Sequence, residues 1–472
     1  MLFNTPIFLF VFLPATLLLY FLFVRMRAFF LANSFLVVAS LVFYAWGNPL
    51  HLGLLLFCGV FNYAMGLWLA RKAAGKPGLV LALAVNVGIL VVFKYAGMLA
   101  DGIIFMGGEI TSQWNFIQNI ALPLGISFYT FQGISYIVDV SKKSISPQRN
   151  LVDFLAYLCM FPQLVAGPIV RYSEIAGNLG ERSPKATPVA DGCRRFIYGL
   201  AKKCLLADTF GKIADACFDI PPATLSGEAA WLGMLCYSLQ IFFDFSAYSD
   251  MAIGMGHMLG FTFPENFNAP YLARSVREFW QRWHMSLTRW LRDYLYIPLG
   301  GNRISQARTC LNMMVVFLAC GLWHGASANF LLWGAYFGCF LVLERLAHNR
   351  PMAPVVGHAY TMLVVMAGWV LFRAPDLGSA LGYYKALAFM NGVALVENVD
   401  VLLAFHGYYP KIALGCAVFL ILLPALPKPA FLKRAASPVL LGLEYLWALA
   451  LLYVSTMMIF GATHRYFIYF RF

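Results

Sequence analysis

An all-α, polytopic membrane protein is the fold class this sequence predicts, and three observations predict it. Hydrophobic residues make up 61% of the 472 and charged residues only 12%, against roughly a quarter charged in an ordinary soluble domain. Uncharged runs of spanning length recur along the chain, and about 20 apolar residues cross one hydrocarbon core. Basic residues gather at the ends of those runs, as they do where cytoplasmic loops face anionic lipid. A soluble fold of this length has too little interior for so many Phe, Leu and Val side chains. Lipid accepts them, and the chain has room for roughly ten or more crossings.

From the start, residues 1–24 are uncharged, with no basic leader and no small-residue cleavage site, so they read as a retained span and not as a signal peptide. Arg25 and Arg27 follow, then the run 28–70, which is too long for one crossing and carries its turn at Gly47, Asn48 and Pro49. Arg71, Lys72 and Lys76 precede the run 78–93, and Lys142, Lys143 and Arg149 follow the run 110–138. Assigning each basic loop to the cytoplasm puts the N-terminus outside and Asp101 and Glu109 in an outer loop.

Residues 171–227 are the most polar stretch and read as a cytoplasmic loop with short helices. The region 274–308 is equally basic, and 374–411, with few charges, reads as an outer loop with short helices. His464 to Phe472 alternates aromatic and basic residues, as interfacial anchors do. No polar domain interrupts the spans, so residues 1–472 read as a single membrane-embedded domain. The net charge of +13 is then a loop signature and not a nucleic-acid surface. Ten scattered cysteines, with no Cys-x-x-Cys and no His pair at metal spacing, read as small apolar fillers, and no metal site is expected.

Three stretches hold side chains that can carry chemistry. In Glu278–Pro298 a helical period of about 100° gathers Phe279, Trp280, Trp283, Leu287, Trp290, Leu291 and Tyr294 on one face. Arg282, Arg289, Arg292, Glu278 and Asp293 fall on the other, and spacings of four pair Glu278 with Arg282 and Arg289 with Asp293. His284 lies at the edge of the apolar face beside Trp280, turned from the arginines. Such a helix lies in the interface plane, and its histidine is either a packing residue or a working one.

The run 309–343 is uncharged but interrupted by Gly321, His324 and Gly325. Its length gives about 52 Å of helix, too little for two full crossings and a loop, so short or broken helices are expected. Non-helical backbone at membrane depth has to be buried in protein or line a wet cavity, and His324 would sit there. The other reading is a turn at the outer surface with an incidental histidine. In Gln240–Gly254, Asp244, Ser246, Ser249 and Asp250 interrupt an apolar sequence; carboxylates there need partners, either an ion pair between helices or a histidine to orient. Phe161–Tyr172 breaks at Pro162, Gly167 and Pro168 and reads as a kink near the interface.

Taken together, these residues resemble the membrane-bound O-acyltransferase family, within it the bacterial polysaccharide O-acetylation branch that includes alginate O-acetyltransferases. The resemblance runs through ISFYTFQGISYIVDV at 126–140, FPQLVAGPIVRY at 161–172, FFDFSAYSDMAIG at 242–254, ENFNAPY at 265–271, FWQRWHMSLTRWLRDYLYIPLGGNR at 279–303 and GLWHG at 321–325. It implies roughly 10–13 transmembrane or re-entrant helices around a central tunnel, with short interfacial helices. It also implies that His324 is the near-invariant catalytic histidine and His284 the second one, with Trp323 in the motif beside them. His324 would act as general base on an acceptor hydroxyl attacking an acyl thioester, and His284 would hydrogen-bond the thioester or share the proton.

Arg282, Arg289 and Arg292 are candidates for the donor's phosphates, and Asp244 for support. The implied donor is acetyl-CoA or another acyl thioester, with no permanently bound cofactor. The implied setting is the cell inner membrane, with a periplasmic acetyltransferase partner and an exopolysaccharide such as alginate, or alternatively cellulose or another cell-surface glycan. A transporter or flippase would share the broken helices and could use His324 and Asp244 as a proton relay, and an assembly scaffold would use the polar motifs structurally. The two Trp-His pairs 40 positions apart are what the acyltransferase reading uses directly.

Overall fold

The computed structural model describes residues 1–472 except 48, 72–74, 99–101, 103–121, 181, 183–185, 348–351, 395–397, 427–437, 462–466 and 469–472. The expectations for Asn48, Lys72, Asp101 and Glu109, the first part of the run 110–138 and most of the anchor at 464–472 therefore fall outside the described residues. The regular structure of the described residues is helical, with principal α-helices in order α1 Leu13–Arg25, α2 Phe29–Ala45, α3 Leu52–Leu69, α4 Gly75–Leu90, α5 Ile126–Ser141, α6 Leu151–Cys159, α7 Tyr172–Gly180, α8 Ala186–Ala201, α9 Asp208–Phe218 and α10 Gly227–Met258. There follow α11 Val276–Arg282, α12 Met285–Leu291, α13 Gln306–His324, α14 Ala328–Leu346, α15 Pro354–Arg373, α16 Leu377–Leu387, α17 Val399–Ala404, α18 Tyr408–Leu422 and α19 Pro438–Gly461.

Among the described residues seven helical stretches are long and apolar enough to cross a membrane: Phe8–Arg25, Pro49–Leu69, Gly75–Met98, Gln306–His324, Pro354–Arg373, Tyr408–Ala425 and Leu441–Gly461. The chain is a polytopic, all-α membrane protein. The run 28–70 divides into α2 and α3 around a short 3-10 turn at Pro49–His51, because one continuous helix would overrun the hydrocarbon.

Two compact units emerge. One comprises Met1–Phe196 with Ser249–Glu265, the other Ile197–Tyr248 with Asn266–Phe472. In the first, α5 packs on α3 and α4, and those two are joined by a buried amide pair: Asn62 Nδ2 donates to Asn86 Oδ1 at 3.2 Å and Asn86 Nδ2 to Asn62 Oδ1 at 3.0 Å. Side-chain hydrogen bonds of this kind hold helices together where apolar burial gives no drive. The same unit answers for Asp250. Arg195 reaches it through Nε at 3.0 Å and Nη2 at 2.9 Å, and grips Glu265 through Nη1 at 2.7 Å.

Three expectations are corrected. Residues 186–218 do not form a loop with short helices: α8, a π segment at Lys202–Ala207 and α9 run on without a break, about 50 Å at 1.5 Å per residue. The reason is a helical stripe of Phe196, Leu200, Cys204, Ala207, Phe210, Ala214 and Cys217, all buried, beneath the basic residues that gave the stretch its polar look. The segment 278–298 is not one helix either, since α11 ends at Arg282 and α12 begins at Met285. The run 309–343 makes two helices of 19 residues each, α13 and α14, because each borrows length from a polar flank, Gln306 and Arg308 in the first and Glu344 and Arg345 in the second.

Candidate active site

All of the site's geometry lies within the second unit. The hairpin α13–α14 brings His324 inward. A Cβ at Gly321 would collide with the carbonyl of Phe330, and one at Gly334 with the carbonyl of Phe317, so these two positions allow the helices to cross at backbone contact. His324 is the last residue of α13, and Gly325 turns extended to close the hairpin. The imidazole is 4% exposed and stands among rings, with centroids 4.9 Å from Trp323, 5.1 Å from Trp333 and 5.2 Å from Phe372.

His284 reaches the same place from the break between α11 and α12. Its backbone is left-handed (φ 42°, ψ 53°), a conformation that costs a non-glycine residue about 1–2 kcal/mol. The loop 265–271 imposes it. Asn268 N–H donates to the Arg282 carbonyl at 2.9 Å and Met285 N–H to the Asn266 carbonyl at 2.9 Å, so the chain is held on both sides of the histidine. Asn266 Oδ1 then accepts from Ser286 Oγ at 2.6 Å and from Ser286 N–H at 3.2 Å.

A main-chain N–H can only donate, so that oxygen is an acceptor, and His284 Nδ1, 3.3 Å away, must carry its proton toward it. Nε2 is left with the lone pair. Burial pushes the imidazole well below its ordinary pKa, to about 3, so it is neutral at physiological pH. Its ring meets Phe245 edge-on at 4.7 Å and Trp323 at 5.7 Å. Trp323 thus borders both histidines, which are 40 residues apart in sequence.

Asp244 is elsewhere. Its Oδ1 accepts from Lys203 Nζ and its Oδ2 from Ile468 N–H, each at 2.7 Å, so it ion-pairs and does not orient a histidine. Its neighbour Phe245, about 100° further round α10, is the member of that motif in contact with His284. Arg282 pairs with Glu278 at 2.7 Å, as its spacing of four suggested. Arg289 Nε donates to the Met285 carbonyl at 3.3 Å, and Arg292 Nε reaches Asp293 at 2.7 Å.

Of these arginines only Arg292 lines a cavity of about 810 Å³ in this unit. It is joined there by Arg277, Arg303 and Arg345, with Trp280 and Tyr296 as aromatic walls. Sequence reasoning missed those three arginines, and it missed Asn266, whose ENFNAPY stretch contributed to the resemblance but was given no role. A second cavity of about 340 Å³ is bounded by Ser327, Asn329, Phe330 and Phe372, just beyond His324. Among the described residues no three His, Cys, Asp or Glu side chains converge as a metal-ligand set.

The family model for membrane-bound O-acyltransferases matches residues 135–367, a range that includes α11 to α14 and both histidines. The "Probable alginate O-acetylase AlgI" of Pseudomonas aeruginosa is 44% identical over 398 residues, covering 82% of this chain and 75% of the relative. The peptidoglycan O-acetyltransferase of Helicobacter pylori is 36% identical over 435 residues, covering 84% and 81%. The teichoic acid D-alanyltransferase of Bacillus subtilis is 27% identical over 283 residues, covering 52% and 70%. With its apolar helices and these matches, the chain is a multi-pass membrane acyltransferase and belongs to the membrane-bound O-acyltransferase family.

Proposed function

We propose that this acyltransferase takes an acetyl group from acetyl-CoA on the cytoplasmic side of the inner membrane and passes it across for O-acetylation of an exopolysaccharide such as alginate. The observation that carries the proposal is the meeting of His284 and His324 around Trp323, with a cavity on either side of them along the α13–α14 hairpin. The arginine-bearing cavity lies against Met313, Val316 and Phe317, two to three turns before His324, and the smaller one against residues just after it.

Charge supports that orientation. Arg303, Arg308 and Arg345, gathered at one end of the hairpin, support a cytoplasmic reading of that end, with His324 toward the other. In the proposed reaction the donor's phosphates sit among Arg277, Arg292, Arg303 and Arg345, and the thioester reaches inward toward the histidines. His324 removes the acceptor's hydroxyl proton as the oxygen attacks the thioester carbonyl. The new C–O bond forms, the C–S bond breaks, and the departing thiolate takes the proton back from the imidazolium. His284, its Nδ1 proton held on Asn266, offers the Nε2 lone pair as a hydrogen-bond acceptor that orients the incoming hydroxyl.

The relatives' names support a cell-envelope polymer as final acceptor, alginate in one and peptidoglycan in another. A hydroxyl of a periplasmic acetyltransferase partner is an alternative immediate acceptor, and cellulose an alternative polymer. The test is polymer acetyl content in cells carrying His324→Ala at normal abundance. The reading expects acetylation to vanish while polymer export continues. Unchanged acetylation removes the base, and lost export points to a transporter.

A further inference from the structure

The buried pair Lys203–Asp244 joins the π segment at Lys202–Ala207 to α10 and reaches the neighbourhood of His324 through Ile468. Both side chains are 2% exposed, and Lys203 Nζ also meets Asp208 Oδ1 at 2.8 Å. The same ammonium stands 4.6 Å over the ring of Phe467, which meets Tyr248 edge-on at 5.1 Å. Phe467 and Ile468 are 1% and 5% exposed, so these two residues are buried within the second unit. As a simple tie between helices, a buried ion pair does no better than apolar side chains of the same volume. What apolar residues cannot do is accept a main-chain N–H, and Asp244 Oδ2 accepts that of Ile468.

Ile468 is also a wall of the 340 Å³ cavity, together with Gln240, Phe330 and Phe372. The Phe372 ring is in contact with that of His324. Gln240 is 9% exposed, and its amide oxygen is buried with no hydrogen-bond partner among the described residues, as expected of a group that meets an incoming donor. The cavity is within the size range of small-ligand sites.

We infer that Lys203 and Asp244 are positioning residues for acyl transfer: they clamp Phe467–Ile468 as one wall of this cavity, and the clamped wall sets how the acceptor hydroxyl approaches His324. The inference rests on the acyltransferase site proposed above. Two variants test it in the full chain in membrane vesicles. Ile468→Cys places a thiol at the wall, where maleimide reports its exposure. With native Asp244 it stays unlabelled; with Asp244→Asn it is labelled, while the buried Cys217 and Cys236 stay unlabelled in both. Ile468→Pro deletes the N–H and leaves the ion pair untouched.

With acetyl-CoA and de-acetylated alginate oligomers as substrates, Asp244→Asn and Ile468→Pro each raise the KM for the oligomer and leave that for acetyl-CoA unchanged. The inference is overturned if the thiol introduced by Ile468→Cys stays unlabelled when combined with Asp244→Asn. It is equally overturned if the KM for the oligomer stays unchanged, or if kcat falls with both KM values unchanged while Cys217 and Cys236 become labelled, which is the signature of a pair that only holds the fold. Labelling is read without catalysis, so an active His324→Ala variant would remove the proposed base and leave the clamp standing.

Discussion

Arg282 and His284 are two residues apart, and the structure puts them to opposite uses. His284 is 1% exposed, neutral and fixed by Asn266 among aromatic rings. Arg282 keeps about a third of its side chain in solvent, paired with Glu278, while Arg292 further on is 58% exposed at the edge of a roomy cavity. The left-handed residue between α11 and α12 permits this. An unbroken helix would carry one apolar and one basic face along its whole length. The break lets one short segment build a dry pocket with two imidazoles and also one wall of a basic cavity. Chemistry that moves protons is served by the first environment, and attraction of a large anion by the second.

The contrast can be broken by experiment. The largest effect belongs to His324→Ala, with a loss of about 10²–10⁴-fold in acetyl transfer, the usual range for removal of a general base. Polymer acetyl content at matched abundance measures it, and a smaller loss than from any arginine substitution would reverse the assignment. Next is position 284, where backbone and ring can be separated. His284→Val forces a β-branched residue into φ 42° and costs about 1–3 kcal/mol, read as lost abundance or a lower melting temperature in detergent. His284→Asn tolerates the left-handed backbone, so it holds normal abundance and lowers acetylation through the ring alone.

The basic cavity comes third. Arg345 Nε is buried with no hydrogen-bond partner among the described residues, and Arg345→Ala raises the KM for acetyl-CoA about tenfold, the worth of one charge-assisted bond of ~1.5 kcal/mol, with kcat unchanged. An unaltered KM would separate the cavity from the donor. The smallest effect belongs to Arg282→Ala, which removes a partly exposed pair worth about 0.2–1 kcal/mol and leaves both kinetic constants as they were. A clear loss of activity there would extend the donor contacts to Arg282.

Much of the architecture was legible because lipid imposes a simple rule on each segment. The division of 28–70 into α2 and α3 follows from length alone, and the period that gathers Trp280, Trp283, Leu287, Trp290 and Leu291 correctly names buried side chains. The same period ran straight through residue 284 and hid the break, since the bonds that enforce it come from Asn266 and Asn268 in another loop. In 186–218 the basic residues masked an apolar stripe at helical spacing. Asp244 was legible as a carboxylate in need of a partner. That the partner is Lys203, with Ile468 taking its second oxygen, was not.

The sequence by itself determined the solvent, the polytopic helical class and the family, because transfer of apolar side chains into lipid is settled residue by residue and a motif is read where it stands. Tertiary structure alone decided that two histidines 40 positions apart share Trp323, that Asp244 holds Ile468 and not a histidine, and that four arginines from separate elements line one cavity. Those outcomes depend on which segments close on one another, and a buried polar group is satisfied by whatever donor the closure delivers to it.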